Sequence, residues 1–196
     1  SRSLSTRRLN ILNGIAHQAA TAVVNNQLYK ESAERDRLQQ ELNVAHEIQA
    51  SFIPNGNPDI PGFDVASLWL AARQVSGDFY DFLNISPTAD GKFNVVVGDV
   101  SGHGIAAGLL MTTARALIRS RSAQPGTLSQ IVSDVNRDLT LDVYDTGRFT
   151  TLIYLRIDPQ NHRLKWVRAG HDAALLYDPA SDGFEDLYGS GLALGW

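Results

Sequence analysis

From Leu9 to Phe52 the chain carries the pattern of one long helix: no proline occurs before Pro54, and Gly14 is the sole glycine before Gly56. The apolar positions divide this stretch in two. Ile11, Ile15, Ala19, Ala22 and Val23, with Asn26, form a face rich in small residues. Beyond Leu28 the apolar residues thin to Leu38, Leu42, Ala45, Ile48 and Phe52, three or four apart, and charged side chains fill most of 30–41. A stripe that narrow is the seam of a coiled coil, so the spacing predicts a linker helix that pairs with a second copy of itself. A long surface helix packed on its own domain gives the same spacing, and so few heptads are marginal without help from flanking domains.

Pro54, Gly56, Pro58, Pro61 and Gly62 end the helix. The texture then changes to aromatic and β-branched runs that predict strands over 63–70, 78–85 and 93–100, with a turn at 86–91. Two helical periods follow. The first, 105–120, has Leu109, Leu110, Thr113 and Leu117 on one side; the second, 128–141, repeats Leu128, Ile131, Val135 and Leu139. Strands are expected again at 149–157, 164–169, 173–177 and 184–188. Strands, two helices, then strands without alternation predict an α+β domain.

Composition narrows the chemistry. A hydrophobic content of 43% and a charged content of 19% describe a globular chain. The net charge of -4 argues against nucleic acid as the main partner. With no cysteine, a disulfide framework, an iron–sulfur cluster, a thiolate zinc site and a cysteine nucleophile are all excluded. No apolar run approaches the roughly 20 residues a membrane-spanning helix needs, nothing at the start resembles a signal peptide, and a cytoplasmic setting is expected. A first residue of Ser1 and an end at Trp196 without a closing helix predict a piece of a longer protein.

The informative residues are Arg73 to Asp81 and Gly98 to Gly104. A hairpin centred on Thr88 and Ala89 places Asp78 opposite Asp99, with Cβ atoms about 5 Å apart. Two carboxylates at that separation need a cation or a shared proton, and hard cations such as Mg²⁺ take oxygen ligands of this kind. A slip of one residue pairs Asp78 with Val100 instead. The same residues also read as a strand end with a capped turn, Gly102 and Gly104 supplying positive φ. A glycine turn running into a helix at Ile105 is a third possibility, a phosphate site built from backbone N–H groups, although the glycine spacing matches neither common nucleotide fingerprint.

Four segments, Val75 to Asp81, Gly98 to Ala107, Arg148 to Leu152 and Ala169 to His171, resemble in order the motifs of the PPM-type metal-dependent protein serine/threonine phosphatases, in the branch of the bacterial phosphatases SpoIIE and RsbU. Residues 41–54 resemble the linker helix that precedes this domain, and 12–29 the last helix of a GAF sensor domain. The organisation implied is the end of a GAF-like domain over 1–29, a coiled-coil linker over 30–56 and a phosphatase domain over 57–196. The implied fold is an α-β-β-α sandwich, C-terminally incomplete, behind a long helical linker.

The resemblance further implies that Asp78 and Asp99 are the catalytic metal ligands, Asp99 bridging two Mn²⁺ or Mg²⁺ ions and the Val100 backbone carbonyl adding a ligand. Those ions activate a water that attacks phosphoserine or phosphothreonine directly. Arg73 stands at the offset of a phosphate-binding arginine. His103 is expected to close its loop, His171 to order a strand end, and Asp81 to be a hydrogen-bond partner rather than a ligand. Ser76 replaces a glycine of the pattern, and Asp172 with its following alanines replaces a proline-rich segment. Two later aspartates of the family have no counterpart before Trp196, so this piece is expected to bind metal weakly and to be inactive alone. The implied substrate is a phosphorylated STAS-domain-type protein, with homodimerisation through the linker and neither nucleic acid nor membrane insertion involved. The alternative is a non-catalytic dimerising signalling module that carries a pseudophosphatase.

Overall fold

The computed structural model describes residues 6–71, 74–84 and 92–196. Arg73 and the turn expected at 86–91 lie outside the described residues. The chain forms two compact units, Ser1–Val44 and Ala45–Trp196.

The first unit is the leading part of one 47-residue helix, α1 (Thr6–Phe52). Its run of Ala, Gln, Glu, Leu and Arg favours helix throughout. Side chains one turn apart add local support: Arg37 Nε lies 3.2 Å from Glu41 Oε1, and Gln27 donates to Glu31 at 3.2 Å. Leu9, Ile11, Ile15, Val23, Leu28 and Leu38 are all exposed.

The last turns of α1 belong to the second unit and bury Gln49, and Ile53 just after the helix is buried as well. After them come β1 (Phe79–Leu83), β2 (Phe93–Val100), α2 (Ile105–Ser122), α3 (Leu128–Val143), β3 (Thr150–Asp158), β4 (Arg163–Ala169), β5 (Ala174–Asp178) and β6 (Gly183–Leu187). The first four strands form an antiparallel sheet in the order β1-β2-β3-β4, and β5 and β6 form a separate hairpin. The long return from β2 to β3 carries both helices, which pack on one face of the four-stranded sheet. The arrangement is α+β, as the element order implied.

Strand alternation decides what the helices meet. Phe79, Leu83, Val96, Val100, Leu152 and Tyr154 lie on the helix-covered face and are almost fully buried. Helix α3 buries Leu128, Ile131, Val135 and Leu139, as its period predicted, and begins at a capping box in which Thr127 and Gln130 satisfy each other's backbone N–H groups.

Two sequence expectations are corrected here. Helix α2 buries Ala107, Met111, Ala114 and Ile118, whereas Leu109 is 67% exposed. The helix approaches through small residues: a Cβ on Gly108 would collide with Val75 Cγ1. Leu110 and Leu117 pack, partly buried, against the core as expected, so the correction falls on Leu109. The second correction concerns 63–70, which joins no sheet beyond a single bridge between Ile60 and Phe63. Its alternation is real, since Leu68 and Leu70 point to solvent. Contact is made by side chains: Phe63 lies edge-on to Phe93 at 5.3 Å, and Ser67 donates to the Tyr80 hydroxyl at 2.9 Å. A period of two identifies extended backbone but supplies no partner strand. Among the described residues no helix is long and apolar enough to cross a membrane.

Candidate metal centre

The pairing of β1 with β2 starts at Phe79 opposite Gly98. Continuing that register by one residue sets Asp78 against Asp99, and the Val100 N–H donates to the Gly77 carbonyl at 3.3 Å. Both carboxylates therefore project from the sheet face away from α2 and α3, at the C-terminal end of β2. They are close enough for a proton on Asp99 to bond to Asp78. Burial first, then the Asp78 charge and that hydrogen bond, push the Asp99 carboxyl above its ordinary value.

Several groups fix Asp78 in its place before β1. The Ser76 hydroxyl accepts from the Asp78 N–H at 3.2 Å and lies 3.4 Å from its carboxylate. The Trp69 indole N–H donates to the Asp78 carbonyl at 2.9 Å, and the His46 ring stacks on that indole with centroids 5.8 Å apart. His46 Nδ1 in turn donates to the Gln74 carbonyl at 2.8 Å. Gln49, 3% exposed, grips Ser76 from both sides: its amide donates to the Ser76 carbonyl and its oxygen accepts the Ser76 N–H, each at 2.8 Å. The end of α1 is thus bonded to the segment that carries Asp78. Sequence reasoning missed Gln49, His46 and Trp69 as positioning groups. The available signal was a glutamine beside the apolar positions Ala45, Ile48 and Phe52, a buried polar residue that demands partners.

Asp99 faces Thr151 across β2 and β3. The Thr151 hydroxyl donates to the Asp99 carbonyl at 3.4 Å and lies 2.7 Å from His171 Nδ1. Burial lowers the His171 pKa more than the nearby Asp172 and Asp78 raise it, so the imidazole is neutral at pH 7. The His171 carbonyl accepts from the Arg168 guanidinium, so this histidine orders the end of β4 beside the acidic pair. Following β2, Gly102 and Gly104 take φ of 89° and 75°, and Arg148 donates to the Ser101 carbonyl at 2.9 Å, holding the loop that carries the exposed His103.

Asp81 belongs elsewhere. It is 1% exposed on the helix side of β1, bound by Arg119 at 2.7 Å and Arg115 at 2.9 Å. It ties α2 to the sheet.

The donor set suits a hard divalent cation in part. Asp78, Asp99 and the Val100 carbonyl are all oxygen donors. The space beside them is kept by Gly77, where a Cβ would stand 2.7 Å from the Val100 carbonyl oxygen. Among the described residues there is no group of three or more His, Asp or Glu side chains arranged to hold a metal. A groove of about 740 Å³ leads away from the pair along the open sheet face, lined by Trp69, Tyr80, Phe82, Val97 and His171.

The family described as Stage II sporulation protein E (SpoIIE) matches residues 89–196. Phosphoserine phosphatase RsbU of Bacillus subtilis (strain 168) is 27% identical over 161 residues, which cover 82% of this chain and 47% of that protein. Phosphoserine phosphatase RsbP of the same bacterium is 27% identical over 143 residues, 70% of this chain and 34% of that protein. The chain thus spans less than half the length of these curated relatives. The SiaA-PP2C domain of Pseudomonas aeruginosa superposes with a TM-score of 0.69 at 21% identity, covering 83% of this chain and 65% of that one. That likeness establishes the architecture as a PP2C-type fold.

Proposed function

The chain belongs to the SpoIIE family, and from that premise we propose that it forms the metal-binding front of a phosphatase acting on phosphoserine or phosphothreonine in a partner protein. The observation that carries the reading is the acidic pair. Asp78 and Asp99 share one sheet face beside the opening at Gly77, and burial together with mutual repulsion leaves Asp99 short of positive charge. Mn²⁺ or Mg²⁺ would be held there by Asp78, Asp99 and the Val100 carbonyl, all oxygen donors. When bound, such ions acidify water and offset the charge that builds on phosphoryl oxygens.

The chain's own residues supply the positioning. Asp99 is held by the β2–β3 ladder, Asp78 by Ser76, Trp69 and Gln49, and neutral His171 is fixed through Thr151. Arg73, five residues before Asp78, is assigned to the phosphate of the substrate, where a guanidinium makes bidentate contacts. The substrate proposed is a phosphorylated STAS-domain-type protein in the cytoplasm. The exposed seam of α1 is assigned to a parallel or antiparallel homodimer that links the phosphatase to a GAF-like sensor. The names of RsbU and RsbP as phosphoserine phosphatases support the chemistry.

The test is Mn²⁺-dependent hydrolysis of a phosphoserine peptide by the full protein and by its Asp99→Asn variant. A loss of at least about a hundredfold is expected, because both the charge and the bridging ligand go. Equal activity in the two proteins refutes the proposal. Metal-dependent peptide binding without hydrolysis by the unaltered protein assigns it instead to a non-catalytic signalling module.

A further inference from the structure

A second cavity, of about 650 Å³, opens at the other end of the sheet. Along β2 it begins at Asn94, five residues or about 17 Å from Asp99. Its walls carry Lys92, Arg156, Arg163 and Lys165 against a single carboxylate among the described residues, Asp158. With Lys92 paired to Asp158, the cations Arg156, Arg163 and Lys165 remain gathered in one recess of a chain whose total is -4.

The register makes this clustering costly. Asn94, Arg156 and Lys165 stand side by side across β2, β3 and β4, so two cations are directly opposed on neighbouring strands. Like charges so placed repel. The groups that hold Arg156 are neutral: Nε donates to Asn94 Oδ1 at 2.8 Å, and the guanidinium reaches the Gly126 carbonyl at 3.5 Å. Asn94 is 2% exposed, so its amide aims the guanidinium from a fixed base. Asp158, which lies opposite Arg163, forms an ion pair with Lys92 at 3.8 Å, so the site's cationic character rests on Arg156, Arg163 and Lys165. Oriented cations that outnumber the carboxylates around a recess of ligand size are what a multiply charged anion requires.

We infer that this cavity binds a di- or triphosphate group, whether carried by a nucleotide or as an inorganic chain. A di- or triphosphate offers several anionic oxygens to these cations, and the planar Arg156, held by Asn94, presents paired N–H groups to phosphate oxygens. The site is separate from the acidic pair and does not depend on the phosphatase reading.

The test is calorimetric titration of the chain with sodium tripolyphosphate and with ATP in EDTA, so that no divalent ion mediates contact, in 50 and 200 mM salt. Saturable binding that weakens with salt is expected for tripolyphosphate. The double variant Arg163→Gln/Lys165→Gln, both residues exposed, should lose at least about tenfold in affinity with an unchanged circular dichroism spectrum. ATP binding as tight as tripolyphosphate or tighter identifies a nucleotide as the source of the phosphates, and weaker ATP binding identifies an inorganic chain. Absence of binding by either, or equal affinity in the double variant, overturns the inference.

Discussion

Without metal, replacing Asp99 by asparagine should stabilise the protein. The substitution keeps the size of the side chain and removes one of two facing negative charges. Two unit charges about 4 Å apart repel by about 1 kcal/mol in water and about 4 kcal/mol at the effective dielectric of a protein surface. The face that bears Asp78 and Asp99 is open to solvent on one side, so screening holds the gain to about 1–2 kcal/mol. For a unit of this size that is a rise of about 3–6 °C in Tm. Scanning calorimetry in EDTA at pH 7.5 measures it. Adding Mn²⁺ should raise the Tm of the unaltered chain and leave that of the variant nearly unmoved, reversing their order. The pH dependence gives an internal check. Because the folded-state pKa of Asp99 is raised, the folded protein holds this proton more tightly than the unfolded chain does. The penalty is therefore full above the raised pKa and disappears as pH falls toward the ordinary value of 3.8. The variant's advantage should shrink in acid. A variant that is less stable than the parent in EDTA at neutral pH, or an advantage that grows as pH falls, refutes the electrostatic account of the site.

Gln49→Ala removes both bonds to Ser76 and leaves a buried N–H and C=O unpaired, at a cost of about 2–4 kcal/mol in urea unfolding; Mn²⁺ titration by calorimetry should show weaker binding as well, since Asp78 loses its support. Asp81→Asn strands Arg115, whose side chain is 14% exposed, and should lower stability by about 3–5 kcal/mol in the same assay. Gly108→Ala overpacks α2 against Val75 and should cost about 1–3 kcal/mol, a loss that Val75→Ala in the same chain partly restores.

The sequence was most legible where a single period governs a segment. The valine-rich run of β2 matches its expected bounds, and the centre proposed for the turn gives the register found between Phe79 and Gly98. That register brings Asp78 and Asp99 together, so the geometry of the acidic pair could be read before any fold was known. The face of α3 followed from its leucine and isoleucine period. Helix α2 followed only in part, with Leu110 and Leu117 against the core but Leu109 exposed, because close contact depends on how near two backbones come, and alanine and glycine set that distance without a hydrophobic signature. The supports of Asp78 were illegible for a related reason. Gln49 and Ser76 are 27 residues apart, and His46 and Gln74 are 28 apart. Periodicity identifies which side of a helix is covered, not which backbone atoms a side chain finds there.

The two acidic residues are anchored in unequal ways. Asp99 lies on an eight-residue strand whose ladder with β3 runs through its own position, whereas Asp78 precedes a five-residue strand at the sheet edge. Freeing the first demands that the sheet come apart, while the second is released by local fraying of residues 74–78. Amide exchange should accordingly be slow around Asp99 and fast around Asp78. The lifetime of an assembled pair is then set by its less secure member, and so by the contacts that Gln49, Trp69 and Ser76 make with it.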